Sequence, residues 1–144
     1  MAEKTIAIAS DHAGVALKSV LMEEIKALGY TPLNLGTDTL DSVDYPDFAK
    51  KLASSLIAGD ATFGVLICGT GIGISIAANR HKEIRAALCH NTLTAQLARE
   101  HNNANVLVLG ARIIDEITAK ACLQTFLSTP FASGRHQRRV EKLS

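Results

Sequence analysis

The chain lacks what would take it to a membrane, a nucleic acid or an oxidising compartment. No apolar run approaches the roughly 20 residues of a membrane span. Fifteen Lys and Arg stand against 14 Asp and Glu, a formal net charge of +1. No global field therefore draws it to a polyanion or an anionic bilayer. Only Arg135-His136-Gln137-Arg138-Arg139 is locally basic. The three cysteines, Cys68, Cys89 and Cys122, have no CxxC spacing, and their odd number argues against a disulfide framework. Met1-Ala2-Glu3-Lys4 has neither the basic nor the apolar region of a secretory signal. A cytoplasmic protein with reduced thiols is expected. No pair of histidines or carboxylates has metal-ligand spacing, so neither metal nor cofactor is expected.

What is present reads as one globular domain over 1–144, with a helical tail from about 131. Apolar residues make up 47% and charged ones 20% of the 144, enough to close a core. Residues 5–9 form an apolar strand. Leu17, Val20, Leu21, Ile25 and Leu28 then recur at helical spacing and stop at Gly29. Further strands are predicted at 31–35, 63–67, 85–89 and 105–109, and further helices at 47–58, 92–101 and 115–127. Residues 36–46 are turn-rich and read as a loop, and Pro130 precedes a short charged helix. Continuous apolar strands alternating with helices predict a parallel sheet covered on both faces. The expected fold is α/β: a three-layer αβα sandwich, Rossmann-like, with a five-stranded parallel sheet. Ligands of such sheets bind beyond the carboxyl ends of the strands. Asp11-His12 follow strand one, Cys68-Gly69-Thr70-Gly71 follow strand three, and Arg112 follows strand five.

The stretch from Phe63 to Asn79 is the most informative. An apolar strand stops at Cys68, passes Gly69, Gly71 and Gly73, and continues as a helix of small residues. Such a turn aims backbone N–H groups and a helix N-terminus at one point, which suits an anion. The spacing GxGxG after the third strand is not a dinucleotide fingerprint, and no Gly-Lys-Ser/Thr makes it a P-loop. Close helix–strand packing alone is the competing explanation. A helix N-terminus favours a thiolate, so Cys68 is the candidate base, whereas Cys89 and Cys122 read as core. The remaining polar residues each have a plain alternative: Asp11 as a helix cap, and His101-Asn102 as a cationic helix end. His81 and His90 have no visible partner. Arg135 and Arg139, four apart, share a helical face and could grip one phosphate, or lie on a solvated face.

Five motifs in order resemble the ribose-5-phosphate isomerase B family, which also holds the subunits of galactose-6-phosphate isomerase. They are Ser10-Asp11-His12-Ala13-Gly14, Asp44-Tyr45-Pro46, Cys68 to Ser75, Arg99 to Asn105, and Gly134 to Val140. The resemblance covers nearly the whole chain. It implies an aldose–ketose isomerase of the non-oxidative pentose phosphate pathway, metal-free, acting through an enediolate. Cys68 then resembles the base moving a proton between C2 and C1, and the amides of Gly69, Thr70, Gly71, Ile72 and Gly73 the anion hole. His101 resembles the acid that opens the furanose, with Asp11 and Thr70 at the hydroxyls. His12, Arg112, Arg135 and Arg139 resemble the phosphate grip, with Asn102 and Tyr45 nearby. The resemblance also implies a homodimer with shared sites, in which His101, Asn102 and the tail arginines serve the partner; pairing of dimers into tetramers stays open. One branch of the family has glycine for the thiol and a glutamate where Ile74 stands, and an aromatic is frequent near Leu93. Allose 6-phosphate and galactose 6-phosphate remain alternative substrates. From other classes, a nucleotide-binding sensor domain would need neither the thiol nor His101 and the tail arginines, and an inactive structural oligomer would not need every site position filled.

Overall fold

Alternate residues of the central strands serve opposite faces of one sheet. In the computed structural model, which describes residues 4–144, the strands are β1 (Thr5–Ser10), β2 (Thr31–Asn34), β3 (Phe63–Cys68), β4 (Ala86–Leu88) and β5 (Val106–Gly110). The helices are α1 (Val15–Ala27), α2 (Tyr45–Ile57), α3 (Ile72–Ala78), α4 (Thr92–Asn102), α5 (Glu116–Ser128) and α6 (Arg135–Glu141). Ile6, Ile8, Val65, Ile67, Leu107 and Leu109 point into one core, shared with residues of α1, α4 and α5. Ala7, Ala9, Leu66, Cys68, Val106 and Val108 point into the other, shared with α2 and α3. The period of two thus divides each strand between two helical layers, and the predicted three-layer sandwich with five parallel strands is what forms. No described helix is long and apolar enough to cross a membrane.

The strand order is β2-β1-β3-β5-β4. Chain order reverses beside β1, the kind of switch at which open α/β sheets bind ligands. The three strands whose ends carry the candidate residues, β1, β3 and β5, are therefore immediate neighbours. Ser10 registers with Ile67, and Cys68 with Gly110.

The differences from expectation lie at element ends. Helix α2 starts at Tyr45 rather than Asp47, because Pro46 falls in its first turn, where its missing N–H costs nothing. The edge strand β4 shortens to three residues. Arg85, placed in it by the sequence, turns its Nε to the Asn103 carbonyl at 2.8 Å instead. A 3₁₀ turn, His12–Gly14, separates β1 from α1. The reading of the first residues as no export signal falls partly on residues 1–3, outside the described ones.

Helix α2 can approach β3 because residue 64 has no side chain. A Cβ there would lie 2.6 Å from Leu52 Cδ2, and Leu52 is fully buried. Gly64→Ala should therefore destabilise the fold by about 1–2 kcal/mol through overpacking, read from the midpoint of urea unfolding with an unchanged m-value.

Candidate active site

Past the strand ends, the sheet ladder continues through the loops and gathers the polar residues. The Asp11 N–H donates to the Ile67 carbonyl at 3.2 Å, tying the end of β1 to β3. The Ala111 N–H donates to the Cys68 carbonyl and the Arg112 N–H to the Gly69 carbonyl, both at 2.9 Å. These two bonds bring the loop after β5 onto the glycine turn. The Arg112 side chain consequently lies over Gly69, where a Cβ would stand 2.9 Å from its Nη1.

The turn needs glycine for geometric reasons. Gly71 has φ of +80°, the left-handed region, as the residue before α3. A Cβ on it would also run into Leu88 and the backbone of Leu109 and Gly110. Gly73 is the platform for Tyr45, whose ring and hydroxyl atoms would lie 2.5–2.8 Å from a Cβ there.

Cys68 sits at the mouth of this turn, and the Gly71 N–H donates to its Sγ at 3.1 Å. The side chain is 4% exposed, but it ends the strand at the edge where the loops meet. The other thiols are in different surroundings. Burial pushes Cys89 up to about 11 and Cys122 upward, so both stay protonated at neutral pH. The sequence assignment of these two to the core holds. Thr70 is exposed at the turn and accepts from the Ile72 N–H at 3.2 Å. Two of the amides proposed for an anion hole, Gly71 and Ile72, thus already have acceptors.

Asp11 does act as a cap: its Oδ1 accepts from the Ala13 N–H at 3.0 Å. His12 Nδ1 accepts from the Val43 N–H at 3.2 Å. Nδ1 is then unprotonated, which assigns the ring proton to Nε2 as a donor. Among the described residues no three His, Cys, Asp or Glu side chains are grouped to hold a metal ion.

Asp11, His12, Tyr45, Cys68, Gly69, Thr70, Gly71, Ile72, Gly73 and Arg112 are thus brought to one edge. His101, Asn102, Arg135 and Arg139 are not. Helix α4 begins beyond β4 and runs its 11 residues, about 16 Å, back toward the strand beginnings, so His101 and Asn102 lie at the opposite edge. The tail joins them there: the Ala132 N–H donates to the Glu100 carbonyl at 3.1 Å. The His136 ring stacks on His101, centroids 4.3 Å apart. A cavity of about 360 Å³ opens beside Asn102, not over Cys68.

Sequence reasoning missed three contributors. Gly110 leaves the gap into which the Thr70 carbonyl fits; a glycine ending a strand was its one visible sign. Arg99, 7% exposed, holds the end of α4 by donating to the Asn103 Oδ1, Ala104 and Thr129 oxygens at 3.0, 2.5 and 3.1 Å. His136 was legible as part of a basic tail and of the last of the five motifs, with no role of its own. Burial, together with the charges of His101, Arg135 and Arg139, holds it below the usual histidine range.

Comparison with known proteins narrows the chemistry. The sequence pattern of the Ribose/Galactose Isomerase family matches residues 6–143. A protein of Rickettsia bellii that carries only the general designation of a sugar phosphate isomerase is 49% identical over 138 residues, 96% of each chain. Ribose-5-phosphate isomerase B of Escherichia coli (strain K12) is 40% identical over 141 residues, covering 98% of this chain and 95% of that one. The crystal structure of a ribose 5-phosphate isomerase from Thermotoga maritima superposes with a TM-score of 0.94 at 52% identity, over 96% of both chains. With its thiol-bearing glycine turn at the switch between β1 and β3, the chain belongs to the ribose/galactose isomerase family.

Proposed function

We propose that the protein interconverts ribose 5-phosphate and ribulose 5-phosphate, an aldose–ketose isomerisation through an enediolate. The observation that carries the reading is the thiol of Cys68, placed under the Gly71 amide at the head of the glycine turn, against whose Gly69 the Arg112 side chain lies. The relatives named for this reaction add weight.

Isomerisation moves one proton from C2 to C1 while the hydroxyl and carbonyl exchange places. The Cys68 thiolate removes the C2 proton, and the electron pair passes to the carbonyl oxygen. The resulting enediolate is anionic and lies before the amides of the turn other than those of Gly71 and Ile72, which Cys68 and Thr70 occupy. The remaining amides stabilise charge as it develops. Cys68 then returns the proton to C1, and no redox partner or metal is required. Thr70 and Asp11 stand at the hydroxyls through which the second proton moves. The Nε2–H of His12 and the guanidinium of Arg112 face the phosphate, a planar fork suiting its oxygens. Tyr45 borders the same end. His101 protonates the ring oxygen when the furanose opens, and Asn102, Arg135 and Arg139 complete the phosphate side.

These last four lie at the opposite edge of the same chain, so the proposal includes a homodimer. In it the partner's strand-beginning edge closes over each Cys68, and two-fold symmetry makes two such sites at once. The cytoplasm, where the thiol stays reduced, is the proposed location.

The direct test offers ribose 5-phosphate, allose 6-phosphate and galactose 6-phosphate in parallel, with and without EDTA. Turnover of the pentose phosphate, insensitive to chelation, is expected; turnover of none would end the reading. Cys68→Ala should abolish exchange of the C2 proton with solvent deuterium while substrate binding stays measurable. Cys89→Ala and Cys122→Ala should leave exchange intact. Retained exchange in Cys68→Ala would assign the base elsewhere.

Sharing of sites is tested by mixing two inactive variants, Cys68→Ala and Arg139→Ala, and reassembling them. Each hybrid dimer then holds one site with both defects and one with neither. Random pairing should restore about a quarter of wild-type activity. If Arg139 serves its own chain, no activity returns even with hybrids present by mass spectrometry.

A further inference from the structure

Lys18 is an anomaly in the core side of α1. Its side chain is 2% exposed, in a helix whose other inward residues include the fully buried Leu21 and Ile25. A buried ammonium is costly unless it is paired. Here Nζ donates to Asn34 Oδ1 at 2.8 Å and to Asp38 Oδ1 at 2.6 Å. Asp38 itself is 66% exposed, so the pair reaches from the interior to the surface.

Both acceptors stand at the head of the loop 35–44. Asn34 Nδ2 also donates to Asp38 Oδ1 at 2.9 Å, and the Gly36 N–H donates to Asn34 Oδ1 at 3.0 Å. The same segment is fastened to the end of β1: the Ser10 N–H donates to the Gly36 carbonyl at 2.8 Å, and the Thr37 N–H to the Ser10 carbonyl at 2.9 Å. Lys18 therefore closes a junction of α1, β2 and the loop. The far end of that loop delivers the Val43 N–H to His12 and the Tyr45 ring to Gly73.

We infer that Lys18 is a positioning residue: by gripping Asn34 and Asp38 it sets the loop 35–44, and through it the orientation of His12 and Tyr45 toward the substrate phosphate. The inference rests on the proposed function for the presence of substrate at those two residues. Stability alone does not account for Lys18. Replacing a buried charge by an apolar side chain of similar size is commonly neutral or stabilising, and Asp38, largely exposed, keeps its hydration when Lys18 is replaced. What an apolar residue cannot do is hold a polar loop at a fixed register. The hydrogen bonds from Asn34 and Lys18 keep the Asp38 carboxyl below the usual carboxylate range, so it is ionised throughout the neutral range.

The test uses Lys18→Met and Asp38→Ala; the second alters a largely exposed side chain but takes the carboxylate from the buried Lys18 ammonium, so stability is judged on Lys18→Met. The chain has no Trp and only two Tyr, so a Tyr30→Phe background makes Tyr45 the sole emitter. Asp38→Ala should raise KM for ribose 5-phosphate roughly three- to fivefold, the scale of a part-exposed ion pair. Lys18→Met should raise it about tenfold, since it releases both acceptors at once. In both, kcat should stay within about twofold, and iodide should quench Tyr45 more steeply. The melting temperature of Lys18→Met should stay at or above the wild-type value. Unchanged KM with unchanged quenching in both variants would overturn the inference, as would kcat and melting temperature falling together in Lys18→Met. If the wild type turned over no ribose 5-phosphate, the functional reading would fail, and unaltered quenching would then still refute the clamp while steeper quenching would uphold it.

Discussion

The site depends on how closely the loop after β3 approaches the loop after β5. A Cβ on Gly110 would overlap the Thr70 carbonyl, and one on Gly71 would strike Leu88 and the backbone at Leu109 and Gly110. Only two residues without side chains, one of them left-handed, allow the backbones to meet. From that contact follow the bonds from Ala111 to Cys68 and from Arg112 to Gly69, and hence a guanidinium lying over the turn that holds the thiol. A displacement of about 1 Å in such a constellation can cost a hundredfold in rate. The glycines are better understood as the spacing of the site than as its flexibility.

The three thiols are all buried, and their position in the elements separates them. Cys89 and Cys122 are surrounded by aliphatic side chains of one core, where a thiolate would have no solvation, and both are pushed toward the neutral form. Cys68 also borders a core, the other one. It differs in being the last residue of its strand, where the amide of Gly71, three residues on, turns back onto the sulfur. A strand end supplies a donor that a strand interior has already committed to its ladder.

Much of this was legible in the sequence, and the reasons are local. The strands announced themselves as Val, Ile, Leu and Ala runs, α1 by its 3.6-residue spacing, and the glycine turn by its break from an apolar strand. What was not legible is long in range. Periodicity identifies elements without saying which strands are neighbours, so the adjacency of β1, β3 and β5 emerged only from the sheet order. The bond from Val43 to His12 spans 31 positions, and that from Lys18 to Asp38 spans 20; no motif marks either. Lys18 at an inward helical position reads as a break in the apolar stripe unless its partners are seen. The start of α2 was misplaced by two residues because Pro46 reads as a loop residue, although proline is at home in a first helical turn.

The separation of His101 from Cys68 has a general cause. In a parallel α/β sheet every strand ends at one edge, and every helix that follows returns the chain to the other. A group at a strand's carboxyl end and a group at a helix's carboxyl end therefore face opposite edges of the same subunit. The last turn of α4 is held there by Arg99, whose guanidinium joins the Asn103, Ala104 and Thr129 oxygens and lies over the rings of Phe63 and Phe126. That end of the helix cannot swing to the thiol without uncovering a buried charge. The homodimer proposed above answers this separation, because it brings the strand-end thiol of one chain to the helix-end histidine of another. In that proposal a two-fold pairing of opposite edges builds a pair of complete sites from one repeated contact.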